Sequence, residues 1–273
     1  MNIVTLTTDI GQQDYIVGAF KGQLLSQNKN LTILDISHFL THTNFPEAAY
    51  ICSNAFKHFP EKTIHIIIFN FYENKAENIL IAEYNNQYII CADNGILGMI
   101  SPEPLAKVYS IHIDHTNKFL ESTLKIADAV NHLSNGKKIE EFANPIQNFF
   151  VKNNLQASAN ESWIKGHIIF IDNFENVVTN ITEPIFEMHR KGRKFNIVLA
   201  RGEGLDNISN NYLSVPEGEN LAWFNSAGYL ELAMNKGNMA GLFGFEGFNE
   251  LNYKEGKSMQ NKLFYKYIQI NFL

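Results

Sequence analysis

The sequence has few cysteines, few prolines and few positive charges, and these scarcities limit what the protein can be. Its 273 residues include 2 cysteines, 7 prolines and 22 lysines and arginines against 28 aspartates and glutamates, for a formal net charge of −6. A mildly acidic chain without a basic run disfavours nucleic acid or an anionic membrane surface as the main partner. No apolar stretch approaches the ~20 residues that a membrane helix needs. The amino-terminal residues lack the basic and apolar regions of a secretory signal, so we predict a cytoplasmic protein.

Metal-binding and common nucleophile motifs are also missing. Cys52 and Cys91 have no metal-ligand spacing and stand among apolar residues, which favours small core residues over reactive thiols. His112 and Asp114 would share one face of a strand, but no third ligand accompanies them. The chain contains no GxSxG, HExxH or Walker-type sequence. We therefore predict neither a metal nor a resident cofactor.

Strands and helices alternate over the first half of the chain. Apolar strand patterns at 3–7 and 64–69 are separated by helical patterns, and another helix is predicted at 124–134. Asn85-Asn86 lies between two apolar runs and is a turn signal typical of a hairpin. Continuous apolar strands separated by helices predict a three-layer α/β domain with a mainly parallel sheet, over residues 1–155.

The pattern changes after residue 150. Residues 153–160 are polar and poor in helix formers, which is typical of a linker. Short strand patterns punctuated by glycines follow, such as those at 163–171 and 229–233. They predict a smaller, barrel-like all-β domain over residues 160–273.

The end of the first strand is the most informative junction. It reads Thr8-Asp9-Ile10-Gly11, and Asp14 follows in the first turn of the next helix. A carboxylate at the carboxyl end of an early strand lies where open α/β sheets bind ligands, and Asp9 could accept hydrogen bonds from two sugar hydroxyls. The alternative is that both carboxylates only interact with the amino end of the helix. The junction alone leaves both interpretations open.

Three later segments place polar side chains in turns. They are Asp93-Asn94-Gly95, Asp172-Asn173-Phe174-Glu175-Asn176 and Asn225-Ser226-Ala227-Gly228-Tyr229. Each alone is explained by turn chemistry. Together with the Asp9 junction, and in this order, they resemble the S-adenosylmethionine (SAM) hydroxide adenosyltransferase family, which is related to the fluorinating and chlorinating enzymes. The resemblance extends from the first strand to about residue 245.

This resemblance implies an N-terminal α/β domain, a C-terminal barrel-like domain and a homotrimer whose sites for a small adenosyl ligand lie between subunits. Asp9 would accept the ribose hydroxyls, and Asp172 would meet the methionine ammonium group through a charge-assisted hydrogen bond. Asn176 would contact the adenine or ribose edge. The other substrate-binding residues implied by the resemblance are Asp14, Asp93, Asn94, Asn225, Ser226 and Tyr229.

The chemistry implied by the resemblance is attack of water at the sugar C5′, which releases adenosine and methionine. The family positions the water with an Asp-Arg-His trio. Here Asn70 stands at the Asp position, Glu121 at the His position, and no arginine occurs before Arg190. Glu121 or Glu73 could act as a base instead. Losing a positioned acid–base group typically costs ~10²–10⁴ in rate, which predicts poor turnover.

Three interpretations stay open at this point. The first is a SAM hydrolase with weak or altered activity, in which Asn70 and Glu121 are the degenerate catalytic positions. The second is a non-catalytic binder of SAM or adenosine, and the third is a trimeric scaffold whose pocket has closed. Of these interpretations we favour SAM hydrolysis with poor turnover. Whether the chain is an enzyme is a question for experiment.

Overall fold

The computed structural model describes residues 2–72, 77–101, 105, 107–114, 116–199, 204–245 and 266–273. The chain divides into two compact units, Met1–Asn154 and Leu155–Leu273. Each unit has its own apolar core. None of the helices in the described ranges has the length and apolar character that crossing a membrane requires.

The first unit contains seven strands and four α-helices among its described residues. In chain order they are β1 Asn2–Thr8, α1 Ile16–Gln27, β2 Leu31–Ser37, α2 Phe45–Phe56, β3 Ile64–Ile68, β4 Asn78–Tyr84, β5 Gln87–Ala92, α3 Ile96–Ile100, β6 Val108–His112, α4 Phe119–Ser134 and β7 Asn144–Ile146. The α/β class predicted from the sequence is confirmed.

One mixed sheet organises this unit, in the order β2-β1-β3-β5-β4-β6-β7. The first four strands in that order run parallel, whereas β4, β6 and β7 pair with their neighbours antiparallel. The change of direction arises at the turn between β4 and β5. There Asn85 and Asn86 have φ of 50° and 60°, the left-handed conformation that a two-residue hairpin turn requires. Such a turn can only join antiparallel strands.

Helices cover both faces of the sheet, which gives the three layers predicted from the sequence. Phe20 of α1 and Val130 of α4 pack with Leu6 on one face. Cys52 of α2 packs on the other face in a cluster that includes Cys91 of β5. Both thiols are buried, in agreement with the prediction of small core residues.

The second unit is built on an antiparallel sheet. Its described elements are β8 Ser158–Ala159, β9 Trp163–Ile171, β10 Val177–Thr182, α5 Glu183–Arg190, β11 Phe195–Val198, β12 Gly204–Leu205, β13 Asn220–Phe224, β14 Tyr229–Met234, α6 Met239–Leu242 and β15 Tyr267–Phe272. The order is β12-β11-β15-β9-β10-β14-β13, and β8 pairs with β9. The two end strands, β12 and β13, lie in contact, so the sheet is a nearly closed barrel. The short helices α5 and α6 were not predicted from the sequence.

Candidate functional site

Three of the residues singled out from the sequence meet at one edge of the first sheet. Asp9, Asn70 and Asn94 follow β1, β3 and β5, which are adjacent parallel strands, so all three lie at their carboxyl ends. Asp9 Oδ2 accepts a hydrogen bond of 2.9 Å from the Asn70 backbone N–H. Asn94 Nδ2 donates to the carbonyl oxygens of Phe69 at 2.7 Å and Asn70 at 3.2 Å. This edge is where open α/β sheets bind their ligands.

Asn70 has φ of 43°, a left-handed conformation that asparagine tolerates better than most residues. The contacts from Asp9 and Asn94 hold its peptide groups on both sides. The loop after β3 is therefore fixed by the two candidate binding residues. Glu73, the other carboxylate considered in this loop, lies outside the described residues.

Asp9 has a second partner that the sequence did not reveal. His42 Nδ1 lies 3.1 Å from Asp9 Oδ2, with 77% of the histidine side chain exposed against 11% of the aspartate side chain. Neither this contact nor that with Asn70 uses Oδ1. Since a carboxylate offers about four acceptor positions, Asp9 retains capacity for a ligand hydroxyl.

The other two acidic candidates of this unit bond to backbone. Asp14 is exposed, and its Oδ1 accepts from Ile16 N–H at 2.9 Å, at the first residue of α1. Asp93 Oδ1 accepts from Phe150 N–H at 2.7 Å. Burial raises the pKa of the Asp93 carboxyl, although the bond from Phe150 acts in the opposite direction. Both contacts are those expected of structural carboxylates, and their roles in binding stay predictions.

Glu121 lies on the first turn of α4, which begins five residues before the predicted helix. Its Oε2 accepts a hydrogen bond of 2.8 Å from Lys118 N–H, the residue that precedes the helix. The side chain is exposed. This arrangement is one half of a capping box, and it supplies a structural reason for the glutamate that needs no catalytic role.

In the second unit, Asp172 and Asn176 form one bonded pair in the turn between β9 and β10. Asp172 Oδ1 accepts from the N–H groups of Phe174 and Asn176, at 2.9 and 2.8 Å. Asn176 Nδ2 donates to Asp172 Oδ2 at 2.9 Å. Glu175, between them, has φ of 63°, so this non-glycine residue is in the left-handed region. The two predicted binding residues are therefore oriented by each other.

A buried glutamate that the sequence analysis did not single out connects this pair to the third motif. Asn176 Nδ2 also donates to Tyr212 OH at 3.0 Å, and Tyr212 OH donates to Glu231 Oε1 at 2.5 Å. Glu231 is 4% exposed. It accepts two further hydrogen bonds, from Trp223 Nε1 at 3.0 Å and from Asn225 Nδ2 at 3.1 Å. Burial and then the bond to Glu231 raise the pKa of Tyr212, so the phenol keeps its proton.

Asn225 is held by its own turn as well. Its Oδ1 accepts from the N–H groups of Ala227 at 3.0 Å and Tyr229 at 3.2 Å. Ser226, next to it, is exposed at the tip of the turn, and Tyr229 is half-buried at the start of β14. The structure thus brings Asn225 into one network with Asn176 and Asp172. The ligand contacts of Asn225, Ser226 and Tyr229 stay predictions.

The described residues contain no group of three or more histidine, cysteine, aspartate or glutamate side chains that could hold a metal ion.

Comparison with protein families matches residues 4–143 to the SAM hydroxide adenosyltransferase N-terminal domain and residues 166–252 to the corresponding C-terminal domain. The chain belongs to the SAM hydroxide adenosyltransferase family. The resemblance drawn from the turn motifs is confirmed. Among curated proteins, an (R)-S-adenosyl-L-methionine hydrolase of Methanocaldococcus jannaschii is 30% identical over 185 residues, which is 66% of this chain and 67% of the relative.

Two crystal structures share the fold of this SAM hydroxide adenosyltransferase family member. An uncharacterized conserved protein from Thermotoga maritima superposes with a TM-score of 0.79 at 24% identity, over 98% of this chain and 99% of its own. A conserved hypothetical protein from Thermus thermophilus gives a TM-score of 0.69 at 19% identity, with both chains covered fully at 100%. At these identities the comparison shows the fold alone.

Proposed function

We propose that this protein binds SAM and hydrolyses it to adenosine and methionine, with slow turnover. The observation that carries the proposal is the cluster of Asp9, Asn70 and Asn94 at the carboxyl ends of three adjacent parallel strands. In a chain of this family, that cluster is a suitable place for the adenosyl group. The relative from Methanocaldococcus jannaschii, named for hydrolysis of the (R) form of SAM, supports the choice of substrate.

In the proposed reaction, water oxygen bonds to C5′ of the ribose as the C5′–S bond breaks. The sulfur keeps the electron pair and leaves as methionine, and the water loses a proton to solvent or to a nearby base. Asp9 accepts a ribose hydroxyl through Oδ1, Asp172 meets the ammonium group and Asn176 the adenine edge. Because sulfonium is already a good leaving group, positioning is the main contribution asked of the protein.

Slow turnover is proposed because the two degenerate positions are occupied by groups with structural roles. Asn70 cannot take a proton, and its backbone is held by Asp9 and Asn94. Glu121 bonds to Lys118 N–H at the start of α4. These observations also favour the second candidate function, a non-catalytic binder of SAM or adenosine. A homotrimer with sites between subunits is part of both proposals.

The decisive experiment is incubation with (R)- and (S)-SAM in water enriched in ¹⁸O, followed by chromatography and mass spectrometry. We expect adenosine that carries one ¹⁸O at the 5′-hydroxyl, because the oxygen of water forms the new bond to C5′. Unlabelled adenosine would contradict water attack at C5′. If the amount of adenosine does not exceed that in a protein-free control, the hydrolase proposal fails, and non-catalytic binding of SAM or adenosine is the function left to test.

Thermal unfolding with adenosine and with SAM tests the binder separately. A ligand present at 100 times its Kd raises the free energy of unfolding by ~2.7 kcal/mol, which moves the melting temperature measurably. If neither compound shifts the melting temperature at any soluble concentration, both functions fail.

A further inference from the structure

The hydrogen bonds of the buried network in the second unit all have a defined donor and acceptor. Their direction decides whether Asn176 can act towards a ligand as a donor or as an acceptor. Trp223 Nε1 and Asn225 Nδ2 are donors, and both point to Glu231, as does the hydroxyl of Tyr212. The Tyr212 oxygen is therefore left to accept a hydrogen bond, and it accepts from Asn176 Nδ2.

The other Asn176 contact imposes the same orientation. Asp172 Oδ2 accepts from Nδ2 at 2.9 Å, as a carboxylate must. Both N–H bonds of the amide are thereby used inside the protein, one by Asp172 and one by Tyr212. The carbonyl oxygen Oδ1 is the group that the amide has left to present. Asn176 as a whole is only 3% exposed. None of its hydrogen bonds within the described part of the chain uses Oδ1, so this oxygen is the polar atom of the amide that can bond a ligand.

We infer that Glu231 and Tyr212 are positioning residues that hold Asn176 as a hydrogen-bond acceptor, and that this selects a ligand with an N–H donor at that point. The inference rests on the proposed adenosyl site. Within an adenosyl ligand, the exocyclic 6-amino group of the purine is the donor of the base. A 6-oxo purine would place a second acceptor against Oδ1, and such a mismatch between buried polar groups is a strong source of discrimination.

Binding of three nucleosides to the full-length protein tests this inference, by titration calorimetry with adenosine, purine riboside and inosine. Purine riboside lacks the 6-substituent, so it loses the donor without adding an acceptor. We expect it to bind about tenfold more weakly than adenosine, and inosine more weakly still. Equal binding of the three nucleosides would overturn the inference and leave the proposed adenosyl site standing. If none of the three nucleosides bound, both the inference about Asn176 and the proposed adenosyl site would fail.

Tyr212→Phe tests the relay itself, because it removes the hydroxyl that links Glu231 to Asn176. We expect the preference for adenosine over inosine to fall by about threefold to tenfold, since one of the two restraints on the amide is lost. If Tyr212 had a merely structural role, the variant would bind both nucleosides more weakly by the same factor. That result would overturn the assignment, and so would an unchanged preference for adenosine. Glu231→Gln is the second variant and should lower the preference in the same direction.

Tyr109→Phe is the matched control. Tyr109 OH donates to Glu140 Oε1 at 2.5 Å in the first unit, a phenol–carboxylate pair like that of Tyr212 and Glu231 but outside both candidate clusters. We expect this variant to have the same ratio of adenosine affinity to inosine affinity as the unmodified protein. A change in its ratio equal to that of Tyr212→Phe would mean that loss of any such pair disturbs binding, and the inference would fail.

Discussion

Asp9 Oδ2 accepts a hydrogen bond from the backbone N–H of Asn70, so the carboxylate at the end of β1 anchors the loop that follows β3. The residue predicted from the sequence to contact ribose is therefore also a structural support for Asn70, the predicted degenerate catalytic position. The contact with Asn70 uses Oδ2, whereas the proposed contact with ribose uses Oδ1, so variants of Asp9 can separate the two roles.

Asp9→Ala removes both roles, whereas Asp9→Asn keeps an oxygen that can accept from Asn70. We expect Asp9→Ala to abolish the thermal shift with adenosine and to lower the free energy of unfolding by about 1–2 kcal/mol, because a backbone N–H loses its partner. Asp9→Asn should keep most of the stability but bind adenosine more weakly, since the acceptor is no longer charged. An undiminished adenosine shift in Asp9→Ala would show that Asp9 serves only the loop.

Asn70 offers a test of backbone conformation against side-chain chemistry. Its φ of 43° suits glycine and asparagine but not alanine. We expect Asn70→Ala to lose about 1–2 kcal/mol of stability in urea unfolding, and Asn70→Gly to stay within about 0.5 kcal/mol of the unmodified protein. If the two variants were equally stable, the left-handed conformation would not be what the position requires. Turnover of Asn70→Gly then reports the side chain alone.

Most elements of the first unit could be predicted because its strands are rich in apolar residues and the turn between β4 and β5 carries an asparagine pair, whereas the short elements α3 and β7 were not predicted. The start of α4 was predicted five residues late. Phe119 begins that helix and packs edge-on against Phe71, with ring centroids 5.6 Å apart, a contact that no local pattern contains. The helix α5 was missed because its eight residues, Glu183–Arg190, are too few to establish a helical period.

The candidate site was only partly predictable for a similar reason. Turn motifs identify Asp172 and Asn176 locally, but their connection to Glu231 passes through Tyr212, which is 36 residues from Asn176 and 19 from Glu231 along the chain. The one local indication was a lone glutamate inside the otherwise apolar strand β14. A buried carboxylate in such a strand needs donors, and here tertiary structure supplies three.

Glu121 can be tested as a base against its capping role. Glutamine can replace glutamate in a capping box, but it cannot take a proton from water. We therefore expect Glu121→Gln to keep its stability and to hydrolyse SAM within about twofold of the unmodified rate. Glu121→Ala should lose about 0.5–1 kcal/mol of stability because the Lys118 N–H loses its acceptor. A fall of ~10² or more in the rate of Glu121→Gln would restore the catalytic interpretation.

The two cysteines should be unreactive while the protein is folded. Burial raises the pKa of the Cys52 thiol to about 12, and burial also raises the pKa of Cys91. Since the thiolate is the nucleophile, alkylation with iodoacetamide at mildly alkaline pH should modify neither residue. Intact-mass spectrometry would check this, with protein in concentrated guanidinium chloride as the control in which both thiols react. Rapid modification of the native protein would place a thiol at an accessible site instead.

His65 should make the stability of the protein depend on pH. The side chain is buried, lies 2.7 Å from Thr5 Oγ1 through Nδ1 and stacks on Phe56 with ring centroids 3.8 Å apart. Burial lowers the pKa of His65 from 6.5 to about 4. The stabilisation is therefore present above pH 6.5 and is lost as the pH falls towards about 4, because the unfolded chain takes up the proton first.

Over that interval the contribution amounts to about 3 kcal/mol. Urea unfolding of the protein and of His65→Gln at several pH values would measure it, since glutamine can still form a hydrogen bond with Thr5 but does not titrate. We expect the difference in unfolding free energy between the two proteins to shrink as the solution is acidified, independently of the carboxylates that both share. A difference that stays constant from about pH 6.5 to about pH 4 would mean that His65 is protonated in the folded protein as readily as in the unfolded chain.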